Sequence, residues 1–226
     1  MKALSAVVLG STGLIGEQLV KQLLNDPDFS KVTILVRRAV DMSHSKLIIQ
    51  VVNFDDLVDV RTAIGKGDCI FCCVGTTQKK VNGDRDAYRK VDVDIPVNVA
   101  RIASEAGFSS FLLISAVGAD INAGNFYLKM KGEVEKEIAA LPFASFQVFR
   151  PSILYGKRKE FRLGELIGKG MMKIIGNFFW GNLTKYRGID AVDVANAMKI
   201  TAKSDSKGMA IHHYTDMLQL TKPLSR

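Results

Sequence analysis

Short apolar runs rich in β-branched residues alternate along the chain with segments whose apolar residues recur every three or four positions. The first pattern is typical of buried strands and the second of amphipathic helices. Strands are predicted at about 3–9, 32–36, 47–52, 68–74, 110–115 and 145–150, with helices at about 14–25, 55–64, 86–106 and 125–140. This alternation predicts an α/β protein with a doubly wound, mostly parallel sheet and helices on both faces.

The pattern loosens after Arg150, where glycines divide the chain into short pieces. We interpret residues 151–190 as a small C-terminal lobe on the substrate side of the protein. Regular structure returns with a helix predicted from Val194, capped by Asp193, and with a last strand from Met209 to Tyr214. A chain of 226 residues without an internal repeat or linker fits one domain, spanning 1–226.

The composition fits a folded protein with a large core, since 47% of the residues are apolar and 24% are charged. The net charge of +8 comes from scattered basic residues that are not interleaved with aromatic ones. Solvated surface is therefore expected, and not a nucleic-acid site. The apolar runs fall well short of the roughly 20 residues that a membrane helix needs, so no membrane segment is predicted.

Three cysteines, Cys69, Cys72 and Cys73, lie within one predicted strand. They cannot form the spread-out disulfide framework of a secreted protein, and the apolar residues between them favour inert core thiols. A reducing cytoplasm is the expected location. The three histidines have no metal-ligand spacing with any cysteine or carboxylate, so no metal site is predicted.

A glycine-rich turn joins the first predicted strand to the first predicted helix. In the sequence GSTGLIG, Gly10 permits the tight turn, Gly13 lets the backbone approach a pyrophosphate, and Gly16 lets the helix pack closely on the sheet. Ser11, Thr12, Leu14 and Ile15 complete the loop at the helix N-terminus, where free N–H groups favour an anion. The GxxGxxG spacing alone is a weak signal, but its strand and helix context predicts a Rossmann-type NAD(P) site.

Basic residues follow the second predicted strand, where an NAD-specific protein usually places an acidic residue. Arg37 and Arg38 can bind the 2′-phosphate of NADP, so the pair favours NADP(H) as cofactor, although a solvated charge pair is the alternative. Asp55 follows the third strand and is a candidate to accept a hydrogen bond from the adenine amino group. Helix capping is an equally good interpretation of Asp55.

Three residues are expected to meet at the carboxyl ends of the strands, where open parallel sheets bind ligands. Ser115 closes the fifth predicted strand, and Tyr127 and Lys131 follow at i and i+4 on one helix face. The Lys131 ammonium would lower the pKa of the Tyr127 phenol and make it a proton donor or acceptor, with Ser115 bonding the substrate oxygen. The alternative is a packing aromatic beside a surface lysine.

Together these motifs resemble the atypical short-chain dehydrogenase/reductases, and among them the Tat-interacting-protein-like NADPH oxidoreductases. The resemblance runs over roughly residues 5–165 through GSTGLIG, KVTILVRR, VVNFDDL, FCCVGTT, SAVGAD, NFYLKMKGEVE and VFRPSILYG. It implies a catalytic role for Tyr127 with Lys131. It also implies NADP-binding roles for Ser11, Thr12, Arg37, Arg38, Val74, Gly75, Lys131, Leu154 and Arg162.

Two functions of different classes follow from these residues. The first is an NADP(H)-dependent reductase or dehydrogenase, in which Tyr127 transfers a proton while hydride passes to or from a small-molecule carbonyl or alcohol. The second is a regulatory protein that senses NADPH and signals to a protein partner. An epimerase or dehydratase of nucleotide sugars is disfavoured because the segment after Arg150 is short. A monomer or homodimer is expected.

Overall fold

The structure is a computed structural model that describes residues 3–156 and 181–222. Its strands are β1 (Leu4–Leu9), β2 (Phe29–Val36), β3 (Leu47–Val51), β4 (Cys69–Cys72), β5 (Ser110–Ile114), β6 (Ser145–Phe149), β7 (Leu154–Tyr155), β8 (Ile189–Asp190) and β9 (Gly208–His212). Its α-helices are α1 (Leu14–Leu24), α2 (Leu57–Ile64), α3 (Arg85–Arg89), α4 (Ile95–Glu105), α5 (Phe126–Ala139), α6 (Ala191–Ala202) and α7 (Tyr214–Thr221).

A seven-stranded sheet in the order β3-β2-β1-β4-β5-β6-β9 forms the centre of the described structure. Every neighbouring pair in it is parallel. β7 and β8 form a separate parallel pair. The chain runs outward from β1 in one direction and then outward from β4 in the other, which confirms the doubly wound Rossmann architecture. The two inner strands, β1 and β4, therefore mark the point where this fold binds its ligands.

Two hydrophobic cores lie on opposite faces of the sheet. Along β1 the side chains of Ala6 and Val8 enter one core and those of Val7 and Leu9 the other. Helices α1, α6 and α7 cover the first face, whereas α2, α4 and α5 cover the second. Because both faces are buried, the strands appear in the sequence as continuous apolar runs and not as alternating ones.

The helix predicted at 86–106 is divided in the structure. Helix α3 leads into a wider π-helical turn, Lys90–Asp94, before α4 begins. Pro96 is the second residue of α4, and a proline ring excludes the carbonyl four residues before it, here that of Asp92. The π-helical turn includes Asp92 and so accommodates the displaced carbonyl. The Asp92 side chain lies inside the protein, where it is 1% exposed.

Two predicted helix caps and one strand end are wrong. Helix α6 begins at Ala191, so Asp193 lies in its first turn and does not cap it. Helix α2 is capped by Asp56, whose carboxylate accepts hydrogen bonds from two backbone N–H groups, and not by Asp55. The last strand ends at His212, and Tyr214 instead begins α7. In each case the observed end of the helix or strand differs from the predicted one by one to three residues, because sequence patterns define such boundaries poorly.

The predicted substrate-side lobe is described only at its two ends. Residues 157–180 lie outside the described residues, and with them Arg162. The described ends contribute β7, a 3-10 turn at Gly181–Tyr186, and β8. Within the described ranges, no helix is both long and apolar enough to cross a membrane.

Candidate active site

The glycine loop between β1 and α1 is closed by backbone contacts that leave no space for a side chain at Gly10 or Gly16. Gly10 has a φ of +74°, in the left-handed region, and a Cβ added there would lie 2.5 Å from the carbonyl oxygen of Cys73. A Cβ on Gly16 would lie 2.1 Å from the carbonyl oxygen of Gly10. Glycine is therefore required at both positions for steric reasons, as predicted. Gly16 brings α1 against the backbone of Gly10, which directly follows β1.

The loop also contains a buried hydroxyl group without a bonding partner. Ser11 is 3% exposed, and within the described part of the chain its Oγ makes no hydrogen bond. It precedes the N-terminus of α1, whose first N–H groups have no partner within the helix. An unpaired hydroxyl beside a helix N-terminus fits a phosphate group, which can accept hydrogen bonds from both.

A cleft with a volume of about 600 Å³ opens above the glycine loop. The loops after β1, β2 and β4 form its walls, and Arg37, Arg38 and Lys80 supply its charged side chains. Within the described structure no aspartate or glutamate lines it. The predicted residues on its walls are Gly10, Ser11, Thr12, Gly13, Arg37, Arg38, Val74 and Gly75. The size and the positive charge of the cleft suit a dinucleotide with its anionic pyrophosphate.

Asp55 lies apart from this cleft. Its carboxylate accepts a hydrogen bond from Lys90 Nζ at 2.7 Å, with both side chains more than half exposed. The neighbouring Phe54 lines the cleft, but Asp55 does not. The structure therefore gives Asp55 a surface ion pair and places it outside the set of cleft residues.

A second, narrower cavity of about 70 Å³ adjoins the cleft. The two share the loop of residues 73–76, which follows β4. Its lining includes the predicted residues Leu14, Ile15, Val74, Gly75, Ser115, Tyr127, Lys131 and Leu154. The structure therefore brings the three predicted catalytic residues together, beside the loop that also borders the cleft.

Tyr127 is placed by the start of helix α5. Asn125 caps this helix by accepting hydrogen bonds from the backbone N–H groups of Tyr127 and Leu128, at 3.0 and 3.2 Å. The ring centroid of Tyr127 lies 6.4 Å from that of Tyr88, which also stacks on Phe126 at 6.2 Å. A capped first turn and an aromatic cluster thus hold the phenol at the cavity.

Lys131 is a buried cation with a buried counter-charge. Its Nζ lies 3.0 Å from Oδ1 of Asp92 and 5.7 Å from the centre of the Tyr127 ring. The other carboxylate oxygen of Asp92 accepts a hydrogen bond from the Thr76 N–H at 2.7 Å. Burial acts to lower the pKa of Lys131, but the charges of Asp92 and Tyr127 outweigh it, and the pKa lies above its ordinary value.

Ser115 was predicted to bond the substrate oxygen, but in the structure its hydroxyl already has a protein partner. Its Oγ donates a hydrogen bond to the buried carboxylate of Glu135. Arg150 donates to both oxygens of the same carboxylate, with Nε 3.0 Å from Oε1. Because its proton points to Glu135, Ser115 can accept a hydrogen bond from a substrate hydroxyl but does not donate one to a carbonyl.

Sequence reasoning missed Asp92, Glu135, Arg150 and Lys80. Glu135 had a usable signal, because it follows Lys131 by four residues and so lies on the same face of α5. Asp92 had none, because it stands among several charged residues of a segment predicted to be one regular helix. Arg150 directly follows β6, which lies beside β5, and only the sheet order reveals that neighbour.

A family model described as NAD(P)H-binding matches residues 10–155. The chain therefore belongs to this family and carries an NAD(P)H-binding domain, whose matched part contains the glycine loop, the cleft and the narrow cavity. Within the family it is a member of the atypical short-chain dehydrogenase/reductase type, as its motifs indicated.

Among curated relatives, Protein HTATIP2 of Rattus norvegicus is 36% identical over 172 residues, which cover 75% of this chain and 70% of that protein. "Protein FMP52, mitochondrial" of Candida albicans is 29% identical over 211 residues, covering 91% of this chain and 90% of that protein. The protein of the same name from Eremothecium gossypii is 34% identical and covers 71% of each chain.

Solved structures share the fold at low sequence identity. MoeE5 in complex with UDP-glucuronic acid and NAD has a TM-score of 0.70 at 18% identity, covering 92% of this chain and 75% of that one. The UDP-glucose 4-epimerase of Thermotoga maritima has a TM-score of 0.67 at 13% identity, covering 92% and 76%. At these identities the likeness establishes the Rossmann-like fold alone.

The cytoplasmic location predicted from the cysteines is wrong. Several relatives, including those from Candida albicans and Eremothecium gossypii, carry the designation mitochondrial in their names. All three cysteines are free and buried in or beside β4, between the two cores. Their state reflects how the central strand packs and carries no information about the compartment.

Proposed function

We propose that the protein is an NADP(H)-dependent oxidoreductase that interconverts a small carbonyl compound and the corresponding alcohol. One observation carries the proposal: Ser115, Tyr127 and Lys131 line a single cavity that shares the 73–76 loop with the dinucleotide cleft. When bound, the nicotinamide supplies the hydride chemistry, which no side chain of the protein can perform.

The side chains around the cavity divide the remaining work. The Tyr127 hydroxyl gives a proton to the substrate oxygen or takes one from it. Lys131, kept charged by Asp92, places a positive charge beside the phenol and favours its ionised form. The Ser115 hydroxyl donates its proton to Glu135, so Tyr127 is left as the hydrogen-bond donor to the substrate carbonyl oxygen, and Ser115 shapes the cavity wall beside it.

The charge of the cleft supports NADP(H) over NAD(H). Arg37 and Arg38 follow β2, where an acidic residue would otherwise bind the ribose hydroxyls. A 2′-phosphate adds negative charge at this position, and within the described structure no carboxylate of the cleft would repel it. Guanidinium groups bind phosphate in bidentate fashion, which makes this pair a suitable clamp.

The variant Tyr127→Phe tests the proton-transfer role. We expect turnover to fall by about 100-fold or more, the usual contribution of general acid–base catalysis, while the dissociation constant of NADPH changes less than about twofold. NADPH oxidation against a panel of small aliphatic and aromatic aldehydes and ketones measures turnover, and fluorescence titration measures NADPH binding. Tyr155→Phe is the matched control, because Tyr155 is half exposed and lies outside the cavity lining.

Equal loss of turnover in both tyrosine variants would contradict the assignment of Tyr127. Tight NADPH binding without turnover of any panel member by the native protein would contradict the oxidoreductase proposal itself. That outcome would favour the alternative of an NADPH-sensing regulatory protein, for which retention of a protein partner with and without NADPH is the direct test.

The double variant Arg37→Gln/Arg38→Gln tests cofactor preference. Loss of two charge-assisted hydrogen bonds is expected to weaken NADPH binding by about 30-fold or more and to leave NADH binding nearly unchanged. Arg101→Gln is the control, because Arg101 is paired with Glu137 on an exposed helix face. Equal weakening of NADPH and NADH would remove the argument for NADP.

A further inference from the structure

Several exposed cations of the described structure have carboxylate partners, whereas the cations of the dinucleotide cleft have none. On the helix faces, Arg61 pairs with Glu105 at 2.5 Å and Lys90 with Asp55 at 2.7 Å. Arg37, Arg38 and Lys80 line the cleft, and none of them forms an ion pair with another described residue. Three uncompensated positive charges around one cleft favour an anionic ligand there.

Lys80 comes from a different loop of the cleft than the two arginines. Arg37 and Arg38 follow β2, whereas Lys80 belongs to a short 3-10 turn, Gln78–Val81, after β4. In the sheet, β1 and its glycine loop lie between these two strands. The positive charges therefore flank the glycine loop from both sides.

The main chain that carries Lys80 is held in place by local hydrogen bonds. The Lys80 N–H bonds the carbonyl oxygen of Thr77 at 3.0 Å and the Thr77 hydroxyl at 3.3 Å. The neighbouring Thr76 N–H is bound to the buried Asp92. The base of the lysine is thus fixed while its exposed side chain keeps the freedom to reach a ligand.

We propose that Lys80 binds the 2′-phosphate of the cofactor opposite Arg37 and Arg38 and is a determinant of specificity for NADP(H). This inference rests on the proposed NADP preference. Lys80 shares the cleft with Arg37 and Arg38 but does not line the narrow cavity where the reacting groups lie. The pyrophosphate already has the N-terminus of α1 and Ser11, so the third cation serves the additional phosphate.

Binding measurements on Lys80→Gln test the proposal without any substrate. The probes are NADPH and NADH, together with the fragments 2′,5′-ADP and 5′-ADP, which differ in the position of one phosphate. We expect NADPH and 2′,5′-ADP to bind about threefold to tenfold more weakly, and NADH and 5′-ADP to change less than twofold. The control is Lys79→Gln, because Lys79 is an exposed neighbour on the same turn that does not line the cleft.

The outcomes separate this inference from the proposal on which it rests. If Arg37→Gln/Arg38→Gln weakens NADPH selectively but Lys80→Gln behaves like Lys79→Gln, the role of Lys80 is refuted and the NADP preference stands. If Lys80→Gln weakens NADPH and NADH equally, Lys80 acts on a group common to both, which also refutes it. If the native protein binds both cofactors equally, the NADP preference itself fails.

Discussion

The buried ion pair between Lys131 and Asp92 gives the sharpest prediction of stability. Asp92→Asn removes the negative charge but keeps an oxygen that can accept the Thr76 N–H. Lys131, whose side chain is 5% exposed, is then left as a buried cation without a counter-charge. Breaking such a pair costs about 3–5 kcal/mol. For a protein of this size that corresponds to a fall in melting temperature of roughly 6–20 °C.

The pH dependence of this loss has a defined sign. In the native protein the pKa of Lys131 lies above its ordinary value of 10.5, so its contribution to stability is complete below pH 10.5 and is lost above the folded pKa. In the variant, burial, the largest effect on this pKa, is opposed only by Tyr127 and Cys72, so we expect the folded pKa of Lys131 to fall below 10.5. The unfolded variant then binds more protons than the folded variant, so its free energy of unfolding rises with pH. The stability that the variant has lost relative to the native protein therefore becomes smaller as pH rises from 7 toward 10.

Urea unfolding of both proteins at pH 7, 8.5 and 10 measures the difference in the free energy of unfolding. Asp55→Asn is the control, because it breaks an ion pair whose side chains are more than half exposed, and it is expected to cost less than about 1 kcal/mol. A loss at Asp92 no larger than that of the control, or one independent of pH, would refute the reasoning.

Three further predictions concern the loop, the thiols and the second buried carboxylate. Gly16→Ala places a methyl group against the Gly10 carbonyl and is expected to weaken NADPH binding by more than about tenfold in a titration. Gly124→Ala, where an added Cβ contacts nothing, is expected to leave binding intact, and equal effects would contradict the steric argument. Burial raises the pKa of the thiols of Cys69, Cys72 and Cys73, that of Cys72 to about 11. We therefore expect mass spectrometry to find no labelling of these thiols by a thiol reagent at pH 8 until the protein unfolds. Labelling of the native protein would refute this prediction. Arg150→Met leaves Glu135 buried without its cation and is expected to cost about 3 kcal/mol in urea unfolding, a loss below 1 kcal/mol being the contrary result.

The sequence was sufficient for those parts of the site that depend on neighbours along the chain. The glycine spacing required only a strand before it and a helix after it, and both β1 and α1 are present. Tyr127 and Lys131 are one helical turn apart, so a predicted helix was enough to place them on one face. The strands were recognisable because burial on both faces leaves no room for polar residues.

The contacts of the site that depend on packing between distant segments could not be predicted from the sequence. Asp92 meets Lys131 only because a widened turn before Pro96 carries it inward, and regular helical periodicity gives no sign of such a turn. Ser115 was correctly placed at a strand end, but its hydroxyl donates to Glu135 of α5, a carboxylate that Arg150 also binds. The spacing of residues along the chain indicates which side chains lie near each other, but it does not indicate which of them the Ser115 hydroxyl binds.

The single hydrogen bond between Asp92 and Thr76 joins two tasks that are usually considered separately. Thr76 belongs to the loop that borders both cavities, and Asp92 is the counter-ion of Lys131. The loop and the lysine thus contact opposite oxygens of one carboxylate. Under the proposed function, one carboxylate therefore fixes both the loop beside the nucleotide and the cation beside the phenol.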